Sequence, residues 1–248
     1  MKTLICSTLI LSVIGLLFLT NSGESSNSGS LESWGSKYYK AGTIKIYDPR
    51  MGTYGAVVSD KALMHINLVD IAKFSGHLCG GSTSGFMMTK LALESLYGKG
   101  ETPVRGDIRL TSNLKGEPME IAAYIIGASD REHHGYETWI IDKSIETKKG
   151  SLVLIFERIS TGKKIKLVWD KIRTLKEHTG DFKRFKQIKL ATVHGLASDA
   201  EAKEFRGLVN SLVMKIINGE LKYEIEVLNG GERKSTEKKG CLCHDVMN

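Results

Sequence analysis

The segment Ser82–Leu96 is apolar over most of its length and carries two charged residues, Lys90 and Glu94. Read at 3.6 residues per turn, its apolar positions cover most of the helix circumference, which predicts a buried helix. One of the three hydroxyl residues that open the segment, Ser82, Thr83 or Ser84, is predicted to cap its N-terminus.

Three further segments show helical patterns. Asn67–Phe74 is short and amphipathic, and Met119–Gly127 is an unbroken apolar run that ends in glycine. A Ser-x-x-Glu capping box at Ser198 opens a third segment, which is predicted to be helical as far as Asn218. Its apolar residues recur on one face, so we expect this helix to pack that face on the core.

Other stretches alternate or are continuously apolar, which predicts strands. These are Thr43–Tyr47, Ala56–Val58, Ala62–Ile66, Val104–Thr111, Glu137–Ile141, Leu152–Arg158, Lys163–Trp169 and Leu221–Leu228. A Ser-Thr-Gly-Lys turn at residues 160–163 makes a hairpin of two of them. Residues 170–197 have mixed polarity and yield no assignment. The predicted fold is α/β of the α+β type, with a mixed or antiparallel sheet packed against a buried central helix and a C-terminal amphipathic helix.

Composition narrows the functional classes. A chain of 248 residues with 41% hydrophobic residues can bury a core. The formal charge of +7 is spread along the chain, and its densest basic run interleaves with apolar residues as strand faces do. We therefore expect a solvated basic face rather than a nucleic-acid surface.

Residues 1–22 have the pattern of a signal peptide. Lys2 precedes the apolar run Leu4–Leu19, which is shorter than the ~20 residues that a spanning helix needs, and small polar residues follow it. The expectation is export to the periplasm or the medium, without a membrane span in the mature chain; an uncleaved anchor is the alternative. Residues 23–40 read as a flexible linker, 41–228 as the folded domain, and 229–248 as a polar linker with a Cys/His tail.

Cleavage would remove Cys6 and leave three cysteines, an odd number that favours metal ligation or a free thiol over a disulfide framework. His77 and Cys79 lie in the glycine-rich turn Gly76–Gly81 and supply the nitrogen and sulfur ligands that zinc prefers. Cys79 precedes a predicted helix N-terminus, which favours the thiolate. Two alternatives stay open: a buried thiol beside a hydrogen-bonded histidine, and a thiol-dependent enzyme with Cys79 as nucleophile.

The run Gly-His-Leu-Cys-Gly, with a later glycine and an Ala-Leu-Glu-Ser-Leu helix, resembles the FmdE-like family, which is named after a component of formylmethanofuran dehydrogenase. The resemblance spans Leu63 to about Asp170 and implies zinc binding at this motif. Ser75 and Gly80 replace a family histidine and proline. Glu117–Ala123 lies where the family carries Cys-x-x-Asp-Ala, and Ala128 replaces another family cysteine, so part of the family's cluster is absent.

Other donors would have to complete such a site. The candidates are two histidines of a charged loop and three residues of the C-terminal tail: His133, His134, Cys241, Cys243 and His244. The tail could complete the site of its own chain or, in a homodimer, that of its partner. The sequence therefore predicts an exported metal-binding protein that holds zinc or another transition metal, with an accessory or a catalytic role.

Overall fold

The computed structural model describes residues 35–58, 62–129, 136 and 138–228. Its helices are a 3₁₀ helix at Ser36–Ala41, followed by α1 (Pro49–Thr53), α2 (Leu68–Ser75), α3 (Gly80–Leu96), α4 (Glu117–Ile126), α5 (Lys171–Thr179), α6 (Phe182–Val193) and α7 (Asp199–Ile217). Its strands are β1 (Ile44–Tyr47), β2 (Leu63–Ile66), β3 (Ile108–Ser112), β4 (Trp139–Ile141), β5 (Leu152–Arg158), β6 (Lys164–Trp169) and β7 (Glu224–Leu228). The 3₁₀ helix occupies the end of the stretch predicted as a linker.

Five strands form one mixed sheet in the order β4-β3-β5-β6-β7. β3 and β4 run parallel, and the other neighbours are antiparallel. β1 and β2 form a separate antiparallel pair. These helices and sheets confirm the predicted α+β fold with its mixed sheet.

The core lies between the sheet and α3. Leu152, Leu154 and Phe156 of β5 pair with Trp169, Leu167 and Ile165 of β6, and all six are buried. α3 packs on these two strands and also contacts α4 and α7, so it is covered on several sides. Its Phe86 and Met88 are fully buried. The prediction of a buried central helix is confirmed.

α7 begins as its sequence predicts. The Ser198 hydroxyl accepts from the Glu201 backbone N–H, and the Glu201 carboxylate accepts from the Ser198 backbone N–H. Leu212, Val213 and Ile216 in its C-terminal half are buried in the core. Among the described residues, no helix is long and apolar enough to cross a membrane.

Three local predictions need correction. Residues 56–58 form no strand, and Ala56 and Val57 lie in a bend, because their backbone N–H groups donate to the Met51 carbonyl and close the end of α1. β3 begins at Ile108 rather than Val104, since Gly106 has φ +90° and turns the chain. The third is the N-cap of α3, which is Cys79.

Residues 170–197, which the sequence pattern left unassigned, form α5 and α6. Asp170 and Asp181 cap them, each accepting from the backbone N–H three residues later. Aspartate is a preferred N-cap because its carboxylate satisfies an orphan N–H group.

A buried arginine joins α4 to the start of the fold. Arg105 donates to the carbonyls of Tyr124 and Ile125, 2.6 and 2.9 Å away, in the last turn of α4. It also lies 3.1 Å from the Asp48 carboxylate, which accepts a second hydrogen bond from the Tyr136 hydroxyl at 2.7 Å. Arg105 thereby satisfies orphan carbonyls of the helix and neutralises a buried acid.

Candidate metal site

The turn between α2 and α3 is held by a left-handed glycine and by contacts of two side chains. Gly76 caps the C-terminus of α2, and its φ of +74° is left-handed and suits glycine. The Ser75 hydroxyl lies within hydrogen-bond distance of two carbonyl oxygens, 2.8 Å from that of Ile71 and 2.6 Å from that of His77. Phe74 stacks on Tyr124 of α4 with ring centroids 4.3 Å apart. These contacts fix the direction in which the chain leaves α2.

His77 is oriented by this turn. Its Nδ1 lies 3.0 Å from the Ser75 carbonyl oxygen, so the N–H of that nitrogen donates there. The other ring nitrogen, Nε2, lies 3.1 Å from Oε1 of Glu117. The side chain is 57% exposed. A backbone acceptor on one ring nitrogen leaves the other available as a ligand.

Cys79 is itself the N-cap of α3, which corrects the predicted caps Ser82, Thr83 and Ser84. Its sulfur accepts from the Gly81 backbone N–H at 3.2 Å, and its own N–H donates to the Ser82 hydroxyl at 2.9 Å. Ser82 therefore completes a capping box from within the helix. The thiol donates to Oε2 of Glu117 at 2.9 Å.

Glu117 is the first residue of α4 and reaches the turn because two glycines let the helices approach. A Cβ at Gly85 would lie 2.6 Å from the Pro118 carbonyl oxygen, and one at Gly81 would lie 2.4 Å from Oε2 of Glu117. Its other carboxylate oxygen, Oε1, is buried and accepts no hydrogen bond of good geometry, although His77 Nε2 is near. A buried oxygen without a donor is costly unless something electropositive contacts it.

The three side chains form one cluster. Ligand atoms of His77, Cys79 and Glu117 all lie within 4.8 Å of one another. They offer one nitrogen, one sulfur and one oxygen donor, which is a set that zinc accepts. The cluster lies at the edge of a cavity of 420 Å³ between the start of α3 and helices α5, α6 and α7.

The expected preference of Cys79 for the thiolate is wrong. Burial raises the pKa of the thiol, and the neighbouring Glu117 charge and hydrogen bond raise it further. The hydrogen bonds from the Ser82 and Gly81 backbone act in the opposite direction and are outweighed. In the metal-free protein the sulfur is a protonated donor to Glu117, which argues against Cys79 as a nucleophile near neutral pH.

We expect iodoacetamide to label Cys79 slowly at neutral pH in chelator-treated protein, because little thiolate is present there, and the rate should still be rising with pH at the ordinary thiol pKa of 9.0 instead of levelling off. Glu117→Gln removes the negative charge and should speed labelling at neutral pH, because it lowers the thiol pKa. Mass spectrometry of the Cys79 peptide measures this separately from the other thiols. Glu120→Gln, which changes an exposed residue of the same helix turn, should leave the rate unchanged. Fast labelling at neutral pH that Glu117→Gln does not alter would restore the nucleophile hypothesis.

The predicted site residues fall into two groups. The structure brings His77 and Cys79 together. His133, His134, Cys241, Cys243 and His244 lie outside the described residues, as does the predicted signal peptide.

Glu117 was missed by sequence reasoning. The available signal was its place at the head of the segment that the expected FmdE-like resemblance aligns with a Cys-x-x-Asp-Ala stretch, since a carboxylate can replace a thiolate as a zinc ligand. Ala128, which the same expected resemblance aligns with a cysteine, lies beyond the other end of α4.

No family model, curated protein or solved structure matches this chain.

Proposed function

We propose that the protein binds one zinc ion through His77 Nε2, Cys79 Sγ and the Glu117 carboxylate. The observation that supports it most is the convergence of these three donors from two helices and a turn. Among the residues that the structure describes, the His, Cys, Asp and Glu side chains that lie close enough to share one ion are those of His77, Cys79 and Glu117. The resemblance of Gly76–Gly81 to the FmdE-like motif points the same way, and membership of that family stays a prediction.

The donors fit the ion's chemistry. Zinc bonds of roughly 2.0–2.3 Å place the donors of a tetrahedral site about 3.3–3.8 Å apart. The present separations of 2.9 Å (Cys79 to Glu117) and 3.1 Å (His77 to Glu117) open to that spacing by small side-chain rotations. The ion would take the place of the thiol proton and contact the carboxylate oxygen that now lacks a donor.

The presence of three ligands among the described residues supports a reactive rather than a purely structural role. Structural zinc is usually closed by four protein ligands, whereas catalytic zinc keeps a position for water or substrate. Here the cluster borders a cavity, and His77 is more than half exposed. We therefore propose a zinc protein whose metal is reached from this cavity and polarises a bound water or ligand oxygen.

The test is the zinc content and affinity of the full-length chain, measured by elemental analysis and by competition with a chromogenic chelator. We expect about one equivalent, and an affinity loss of roughly a hundredfold or more in Cys79→Ser, His77→Ala and Glu117→Gln, because losing a ligand costs at least as much as losing an outer-shell partner. Matched controls are His65→Ala and Glu120→Gln, both exposed and outside the cluster. Zinc that survives Cys79→Ser would contradict the proposal.

A companion variant examines the predicted extra donors. Replacing Cys241, Cys243 and His244 together leaves the described cluster intact. Unchanged affinity assigns the site to the three described ligands, and loss of zinc only in this variant would move the site to the tail.

A further inference from the structure

The cavity beside the cluster has apolar walls. Its 420 Å³ lies within the range of small-molecule sites, about 300–1,000 Å³. Most of the large apolar side chains that line it come from β6 and from helices α5, α6 and α7, among them Trp169, Leu175, Phe185, Phe205, Val209 and Leu212. Phe185 and Phe205 contact each other across α6 and α7, with ring centroids 5.8 Å apart.

Its charged lining is mainly positive. Lys171, Lys189 and Arg206 line the cavity from three different helices, and all three are exposed, as expected of groups at a mouth. In the described part of the chain, no carboxylate lies within ion-pair distance of any of them, whereas Arg184 on α6 is paired with both Glu201 and Glu204. Among the described residues, the single carboxylate of the lining is Glu117, which belongs to the metal cluster.

We infer that this cavity binds a small amphiphilic anion, an aliphatic or aromatic molecule with one carboxylate. The apolar body would lie against Phe185, Phe205 and Leu175, where burial of apolar surface supplies most of the affinity. The anionic group would meet the cations at the mouth. The three cations favour an anionic ligand over a neutral apolar one, because a neutral molecule would make no favourable electrostatic interaction with them.

The inference deepens the proposed function and rests on it only in placing the ligand beside the zinc. The cavity and its cations do not depend on the ion. Binding can therefore be measured in chelator-treated protein as well as in zinc-loaded protein, and the two hypotheses can fail separately.

The probes are 1-anilinonaphthalene-8-sulfonate and its neutral analogue N-phenyl-1-naphthylamine, with decanoate as competitor, all on the full-length chain. The anionic dye should bind at one site, and decanoate should displace it. The double variant Lys189→Gln/Arg206→Gln should bind the anionic dye about tenfold more weakly at low salt, since each exposed ion pair contributes a few-fold. Its affinity for the neutral dye should be unchanged.

Two controls make the result specific. Lys183→Gln/Lys203→Gln removes two exposed charges from the same helices outside the cavity lining and should leave both dyes unaffected. Val209→Trp places bulk in the cavity and should abolish displaceable binding of both. Circular dichroism verifies that each variant is folded.

Equal affinity of the anionic dye for the double variant and the wild type would overturn the inference, as would displaceable binding that survives Val209→Trp. If the protein holds no zinc but shows the expected dye pattern, only the zinc proposal is refuted. If it binds zinc but no displaceable dye, only the inference of a cavity ligand is refuted.

Discussion

Replacing Arg105 with alanine is expected to lower the free energy of unfolding by about 3–5 kcal/mol, the usual cost of removing one partner of a buried ion pair. Arg105 and Asp48 are 12% and 9% exposed, so the substitution leaves the Asp48 carboxylate in a poorly solvated place. It also removes the donors to the Tyr124 and Ile125 carbonyls at the end of α4. Denaturant unfolding monitored by circular dichroism measures the loss.

The effect should depend on pH in a defined direction. Burial alone would raise the pKa of Asp48, but hydrogen bonds from Tyr136 and Arg105 hold it below its ordinary value of 3.8. A carboxyl group whose pKa is lowered on folding stabilises the fold above its unfolded-state pKa and loses that contribution as pH falls through the folded-state value. The difference between wild type and Arg105→Ala should therefore be largest near neutral pH and shrink in acid.

Arg184→Ala is the matched control. Arg184 also contacts two acceptors, Glu201 and Glu204, but its side chain is 40% exposed and solvent screens both ion pairs, so its removal should cost far less than that of Arg105. Equal losses in the two variants would show that burial of the Arg105 network contributes nothing.

Elements with a regular pattern and a recognisable end could be predicted from the sequence. β5 was predicted with its observed limits, because a continuous apolar run is closed by a Gly-containing turn that leads into an alternating strand. α7 was predicted from its capping box. α5 and α6 could not be predicted in this way, because few of their residues are buried and the sequence pattern of a buried face is correspondingly weak. α5 also relies on tertiary contacts such as His178 Nε2 with the Leu208 carbonyl oxygen, at 2.9 Å.

Only the part of the site that lies within one short stretch of the sequence could be predicted. His77 and Cys79 share one turn, and their residue types suggest a metal. Glu117 lies 38 positions after Cys79, and its arrival depends on two helices approaching at Gly81 and Gly85. Nothing in the pattern of Glu117–Ala123 marks that approach. The sign of the thiol pKa shift was missed for the same reason, since burial and Glu117 both come from tertiary structure.

Gly81 and Gly85 give the second prediction, in which alanine substitutions four residues apart on one helix impair different properties, zinc binding for one and stability for the other. A Cβ at Gly81 would lie 2.4 Å from Oε2 of Glu117, which is the free end of a flexible side chain. The carboxylate can swing away at little cost to the fold, but it then leaves the cluster. We expect Gly81→Ala to weaken zinc binding by about a hundredfold, because a displaced ligand costs at least as much affinity as a lost outer-shell partner. Thermal stability should change little.

Gly85→Ala should instead act on the fold. Its Cβ would meet the Pro118 carbonyl oxygen at 2.6 Å and the Pro118 Cα at 2.8 Å, and backbone atoms cannot rotate aside. α3 and α4 must then separate, which costs about 1–3 kcal/mol as for other overpacked cores. Gly207→Ala on α7, where a Cβ meets nothing within 4 Å, serves as the control and should gain up to about 1 kcal/mol from helix propensity. If Gly81→Ala kept the wild-type zinc affinity, Glu117 would not be a ligand, and the site would reduce to the two donors of the turn.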